Sequence, residues 1–190
     1  MTNLVDPNLP APGATPGDDT ISGTQFADIL TGGDGNDTIE GLDGRDWIDG
    51  EAGLDTLAGG LGDDLLYGFD GDDRLDGGDG NDFLFGEAGM DTLTGGAGND
   101  VLAGGLDPNV FVFGAGSGVD HVLDFEPGTD TLAIATGTAG IATAADALAR
   151  VSADADGTAV LDLGEGNAVV LIAVAPTALT ADDFAILPAV

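Results

Sequence analysis

Between Gly32 and Gly60 the chain reads GGDGNDTIEGLDGRDWIDGEAGLDTLAGG, a spacing that leaves few folds open. Large apolar residues recur every nine positions: Ile21, Leu30, Ile39, Ile48, Leu57, Leu66, Leu75, Leu84, Leu93, Leu102 and Phe111. Two residues before each stands an acid or its amide: Asp19, Asp28, Asp37, Asp46, Asp55, Asp64, Asp73, Asp82, Asp91, Asp100 and Asn109. Two residues before most of those stands a glycine: Gly17, Gly35, Gly44, Gly53, Gly62, Gly71, Gly80, Gly89 and Gly98. The unit is G-G-x-G-x-D-x-U-x, with U large and apolar, and it runs without a gap for roughly a hundred residues.

Each part of the unit has a physical reason. Glycines permit the positive φ and close backbone approach of a tight turn. The last three residues suit a very short strand, with U pointing one way and its neighbours the other. Two units then close one turn of a flattened right-handed solenoid. Its core holds one large side chain per unit, about 1.5–3 kcal/mol each. The backbone entropy lost is about 1–2 kcal/mol for every residue of the unit, so burial alone cannot fold the chain. The acids must supply the rest. Stacked turns bring their carboxylates together, and a hard divalent cation between them converts repulsion into ligation. Carboxylates and turn carbonyls form an all-oxygen set, which suits calcium; magnesium holds its waters too tightly and zinc prefers nitrogen or sulfur. Folding is then coupled to calcium binding.

The charge points the same way. With 35 Asp and Glu against 3 Lys and Arg, the net charge is -32, and a compact chain so charged repels itself. Disorder alone fits poorly with 43% hydrophobic residues. There is no basic patch to meet nucleic acid or an anionic membrane surface. Cysteine is absent, which excludes disulfides and thiolate metal sites. The opening MTNLVDPNLPAPGATPGDD lacks the basic end and apolar run of a secretory signal peptide. The most apolar stretch, Ala168 to Ala175, is too short to span a bilayer as a helix.

GGDGNDTIE and GGDGNDFLF resemble the RTX (repeats-in-toxin) nonapeptide, a parallel β-helix repeat that binds calcium. The resemblance implies an all-β, right-handed parallel β-roll of two sheets, two nonapeptides per turn, with calcium between successive turns on both edges. Even and odd units would form separate stacks. The implied ligands are Asp19, Asp28, Asp37, Asp46, Asp55, Asp64, Asp73, Asp82, Asp91, Asp100 and Asn109, helped by turn carbonyls, for at most about nine ions in the roll. The units GTQFADILT and GGLDPNVFV depart from the motif and are expected to begin and end the regular array.

After Phe111 the composition changes. VFVFGAGSGVDHVLDFEPGTDTLAI alternates apolar and polar residues and resembles the segment that follows RTX repeats in serralysin-type domains, through Asp120, Val122, Asp124, Phe125, Gly128 and Asp130. Asp124 and Asp130 would ligate one more calcium or cap the roll. Thr143 to Arg150 reads as a short helix, and VSADADGTAVLDLGEGNAVVLI as three strands joined by turns. DADG is a hairpin turn rather than an EF-hand loop, because the twelfth position from such a loop's start is Leu163 instead of Glu. The closing LTADDFAIL resembles the C-termini of RTX proteins exported by type I secretion, whose signal is C-terminal and uncleaved; this accounts for the lack of an N-terminal signal. Scarce cytosolic calcium would leave the chain unfolded for export, and extracellular calcium would then close the roll. The expected division is a flexible Pro-rich segment at 1–13, the roll at 14–112, and a small β-rich cap with a short helix and the export signal at 113–190.

The residues flanking U differ between the two stacks. Odd units carry Ile29, Trp47, Leu65 with Tyr67, Phe83 with Phe85, and Val101; even units carry Thr20, Thr38, Thr56, Arg74 and Thr92. The apolar stripe calls for a cover: the chain's own tail or N-terminus, a protein partner, or a second copy. The partner face would comprise Trp47, Leu65, Tyr67, Phe83 and Phe85. Arg74, Glu40 and Asp76 interrupt the threonine row and speak against an ice-binding surface. No catalytic constellation is present: His121, the single histidine, reads as a strand residue, and no H-E-x-x-H or phosphate loop occurs. The expectation is a secreted, extracellular or cell-surface calcium-binding protein that acts alone in binding or structure. The alternatives are an accessory calcium-binding and secretion module of a larger secreted protease, lipase or epimerase, and a calcium-dependent self-assembling surface or matrix protein. Met1 and the terminal pattern favour the stand-alone reading.

Overall fold

Each nonapeptide places its U side chain inward and its glycine-to-Asp turn at an edge, so the chain winds into a parallel β-solenoid of about six turns. The computed structural model describes residues 3–4, 15–135 and 138–188; of the expected Pro-rich segment, 1–2 and 5–13 lie outside them. One sheet takes the even units in the order Asn3–Leu4, Thr20–Ser22, Thr38–Asp43, Thr56–Leu61, Arg74–Asp79, Thr92–Ala97 and Val110–Phe113, and continues into Thr131–Ala135 and Phe184–Leu187. The other takes Ile29–Asp34, Trp47–Ala52, Leu65–Asp70, Phe83–Ala88 and Val101–Leu106, then Val119–Val122 and Asn167–Leu171. Two antiparallel strands, Ala159–Gly164 and Val151–Ala153, end that sheet.

The register is the repeat made visible. Ile48 pairs with Leu66 and Leu66 with Leu84, so identical motif positions stack. The U residues from Leu30 to Phe111 are wholly buried in one file, which runs on through Val122, Leu132 and Ile134.

The strands within the array are longer than the expected three residues. Most have six, because the ladder continues through the glycine pair into the next position, as at Gly60↔Gly78 and Gly78↔Gly96. Glycine permits this by letting adjacent turns nearly touch. A Cβ on Gly50 would stand 2.5 Å from Asp55 Oδ2 and 2.9 Å from the Gly68 carbonyl oxygen. The backbone course holds even where the motif's second glycine is replaced: Leu42, Glu51, Phe69 and Glu87 keep a φ of 72–82°, a left-handed conformation that costs such residues energy.

The C-terminal segment lies along the end of the roll and extends both of its sheets. Thr131–Ala135 pairs in parallel with Val110–Phe113, and Asn167–Leu171 with Val119–Val122. The expected helix forms at Ala144–Leu148, where the Thr143 hydroxyl caps it by accepting from the Asp146 N–H at 3.1 Å. The DADG turn is the predicted hairpin: Asp154 Oδ1 accepts from the Asp156 and Thr158 N–H groups, each at 2.9 Å. His121 sits in a strand opposite Val101, as read from its context. No helix among the described residues is long and apolar enough to cross a membrane.

Candidate metal centres

Because Asp precedes each strand by one residue, the winding stacks the aspartates into two ladders, one along each edge. The first runs Asp19, Asp37, Asp55, Asp73, Asp91, Asn109 and Asp130; the second runs Asp28, Asp46, Asp64, Asp82, Asp100 and Asp120. In both, the backbone N–H of each member donates to Oδ1 of the member one turn on, at 2.6–3.1 Å. One carboxylate oxygen therefore locks neighbouring turns together.

The other oxygen is the informative one. Oδ2 of Asp37, Asp55, Asp73 and Asp91 on one edge, and of Asp46, Asp64, Asp82, Asp100 and Asp120 on the other, is sealed from solvent without a hydrogen-bond partner. A buried anionic oxygen without a donor is a strong penalty. Beside these oxygens in the regular turns stands a glycine carbonyl of the next coil, as at Asp55 with Gly68 and Asp82 with Gly95. Among the described residues no three acidic, histidine or cysteine side chains gather at one point, so a cation's remaining ligands would be backbone or hydroxyl oxygens and water. An all-oxygen donor set with an uncompensated carboxylate fits a hard cation of calcium type.

Electrostatics carry the same mark. Burial pushes the carboxyls of Asp46, Asp91 and Asp100 up to about 6, and those of Asp73, Asp82 and Asp120 up to about 7, each opposed by the N–H donated to it. Repulsion from ladder neighbours adds to this at Asp46, Asp73, Asp82 and Asp120. Asp37, Asp55 and Asp64 are raised by burial in the same way.

The ends of the expected ligand set differ. Asp19 Oδ2 accepts from the Thr15 hydroxyl, and Asp28 Oδ2 accepts from the Thr24 N–H at 2.6 Å and hydroxyl at 2.8 Å. Local threonines thus satisfy the oxygens that are orphaned further along. Asn109 accepts from the Asp91 N–H through Oδ1, while its Nδ2 donates to the Asp107 carbonyl at 3.0 Å. That nitrogen lies 2.5 Å from a Cβ position on Gly104, the place Asp55 Oδ2 takes against Gly50. Both oxygens of Asp124 accept from the backbone, from Gly104 N–H at 3.0 Å and Gly105 N–H at 2.8 Å. Asp130 accepts from Asn109 N–H at 2.9 Å and Glu126 N–H at 2.8 Å. These two carboxylates have the partners of caps.

Sequence reasoning missed Asp120 as a ladder member because two extra residues precede it. It also missed an outer row on each edge, in which Asp18, Asn36 and Asp72 on one, and Asp63, Asn81 and Asn99 on the other, accept backbone N–H groups from the following coil or, at the last, from Val119. The recurrence of Asp or Asn just before the ladder aspartate was its signal. The aromatic residues lie where expected, on the outer face of one sheet. Tyr67 stacks on Phe85 at 4.9 Å and approaches Trp47 at 6.3 Å. Phe69, hidden in the sequence at a glycine position, joins them 5.5 Å from Tyr67. Leu65 pairs with Trp47 and Phe83 along the same row. Trp47 and Phe83 are 46% and 45% exposed; the C-terminal strands extend the sheets rather than cover this face.

Comparison with known proteins agrees with this geometry. The family described as the RTX calcium-binding nonapeptide repeat (4 copies) matches over residues 14–48, 31–66, 49–84, 76–111 and 85–120, more than half of the chain. No curated protein sequence matches it. Among solved structures, the extracellular lipase LipA from Serratia marcescens is 24% identical, with a TM-score of 0.46, over 93% of this chain and 41% of the lipase. The AlgE6R3 subunit of the Azotobacter vinelandii mannuronan C5-epimerase is 23% identical, with a TM-score of 0.26, over 95% of this chain and 85% of that one. This chain thus spans less than half of the lipase. With the nonapeptide register, the two aspartate ladders and the family match in agreement, the chain belongs to the RTX calcium-binding nonapeptide repeat family.

Proposed function

We propose that this chain is an extracellular calcium-binding β-roll that leaves the cell unfolded through type I secretion machinery and folds when it meets calcium. The observation that carries the reading is the row of buried Oδ2 atoms without partners along both ladders. In a metal-free fold they are a repeated penalty; with calcium they become ligands. The ligands are Asp37, Asp46, Asp55, Asp64, Asp73, Asp82, Asp91 and Asp100, joined by turn carbonyls. Asp19, Asp28 and Asn109 serve chiefly as ends, and Asp124 and Asp130 as caps. The C-terminal segment from residue 113 closes the roll and carries the export signal.

The outer face formed by Trp47, Leu65, Tyr67, Phe83 and Phe85 supports a stand-alone binding or structural role, since Trp47 and Phe83 are exposed and the other three half-buried among the described residues. Native mass spectrometry of the purified chain tests the calcium reading. Several ions should bind in calcium, and none in magnesium. A chain that stays ion-free in millimolar calcium would refute it.

A further inference from the structure

The second ladder does not end where the regular repeat ends. Asp120 lies 20 residues beyond Asp100 instead of the usual 18, yet accepts the Asp100 N–H at 3.1 Å in the ladder manner. Its Oδ2 and that of Asp100 are both buried without hydrogen-bond partners. The inserted turn adds a group that regular turns lack: the Ser117 hydroxyl, also buried and without a hydrogen bond of ordinary geometry. Ser117 is 4% exposed, Asp120 1% and Asp100 0%. The hydroxyl and the Asp100 carboxyl both act on the Asp120 carboxyl at short range. Three side-chain oxygens from the two coils are thus shut in together, with the Ser117 hydroxyl the one donor among them.

The first ladder provides the contrast at the neighbouring level. There the Asn109 amide donates to turn carbonyls, and its partner one turn on, Asp130, has both oxygens satisfied. One edge has its needs met by the protein; the other is left with anionic oxygens and a hydroxyl.

We propose that Asp100, Ser117 and Asp120 form a further calcium site at the seam between the roll and the C-terminal strands, with the Ser117 hydroxyl as a side-chain ligand. The inference rests on calcium occupancy of the roll, and the site's place gives it a distinct task. The same turn receives the tail: Gly118 N–H donates to Asn167 Oδ1 at 2.9 Å, Ala168 N–H donates to the Gly118 carbonyl at 2.8 Å, and Val119–Val122 pairs with Asn167–Leu171. An ion here fixes the turn on which the tail docks.

The test compares wild type with Ser117→Ala, Asp120→Asn and the mid-roll variant Asp73→Asn, by calcium counting in native mass spectrometry and by hydrogen exchange. Asp120→Asn should carry one ion fewer. Ser117→Ala should lose that same ion at calcium concentrations that leave the others bound. In both, residues 168–171 should exchange faster while the strands between 29 and 97 stay protected. Wild-type calcium counts in both variants, beside a reduced count in Asp73→Asn, would overturn the seam site alone and leave a buried water as its occupant. No calcium in wild type would overturn the roll reading with it. Should Asp120→Asn fail to fold, the smaller Ser117→Ala change still decides the matter by its ion count.

Discussion

At the scale of single residues, the ladder aspartate does two jobs with its two oxygens. Oδ1 ties one coil to the previous one, as Asp73 does for the Asp55 N–H at 2.8 Å. Oδ2 is left buried without a partner and, in the proposed function, takes a cation. Without metal, burial raises these carboxyls from an ordinary 3.8 to about 6 or 7 at Asp46, Asp73, Asp82, Asp91 and Asp100. A folded-state value above the unfolded one means the metal-free fold binds more protons. Its contribution to stability is full below about pH 4 and is lost as pH rises through about 6–7. The chain in chelator should therefore gain β signal by circular dichroism when acidified from about pH 8 to about pH 4. Calcium needs the ionised form, so its half-folding concentration should fall as pH rises over the same range. A metal-free signal that grows toward alkaline pH would contradict this account. Asn109 gives a converse test. Replacing its amide by a carboxylate, Asn109→Asp, removes the donor that satisfies the Asp107 carbonyl and should add one ion to the native mass spectrum. The sequence disclosed the ladder aspartates because their ninefold register is regular. It did not disclose that Asp19 and Asp28 are satisfied by Thr15 and Thr24, because only these first two units carry a threonine at the second-glycine position, four residues before the aspartate.

At the scale of the element, glycine decides how close two coils come. Gly50 is the clearest case. An alanine there would press its methyl against Asp55 Oδ2 and the Gly68 carbonyl oxygen, the two atoms assigned to one cation. Gly50→Ala should cost about 1–3 kcal/mol, read as a lower urea midpoint in saturating calcium, and raise the calcium needed for folding. An unchanged pair of midpoints would show that the edge is looser than described. The inward position of every U residue was legible, since period alone fixes it. Strand length was less so. The glycine pair looks like a turn in the sequence and becomes strand because the coil beside it runs in the same register, whether Gly78 lies across from Gly60 or Phe69 from Glu51. The same masking hid Phe69 among the aromatics. The tail's helix and hairpins were readable from local signals such as Thr143 and DADG. Its stacking on both sheets was not, because the insertion before Asp120 breaks the numerical register that a reader follows.

At the scale of the whole molecule, charge and fold are one problem. A net charge of -32 opposes compaction, while the core is a single file of U side chains plus the packed end. The two ladders place many of the acids where a divalent cation can act on them. On the proposed reading folding is a consequence of the medium: unfolded where calcium is scarce, rolled where it is plentiful. The most direct test is far-UV circular dichroism of the purified chain during a calcium titration from excess chelator at neutral pH, with magnesium as the control. A steep, cooperative gain of β signal with calcium and none with magnesium is the predicted result. A chain already folded in chelator, or equally responsive to magnesium, would contradict the claim that calcium closes the roll.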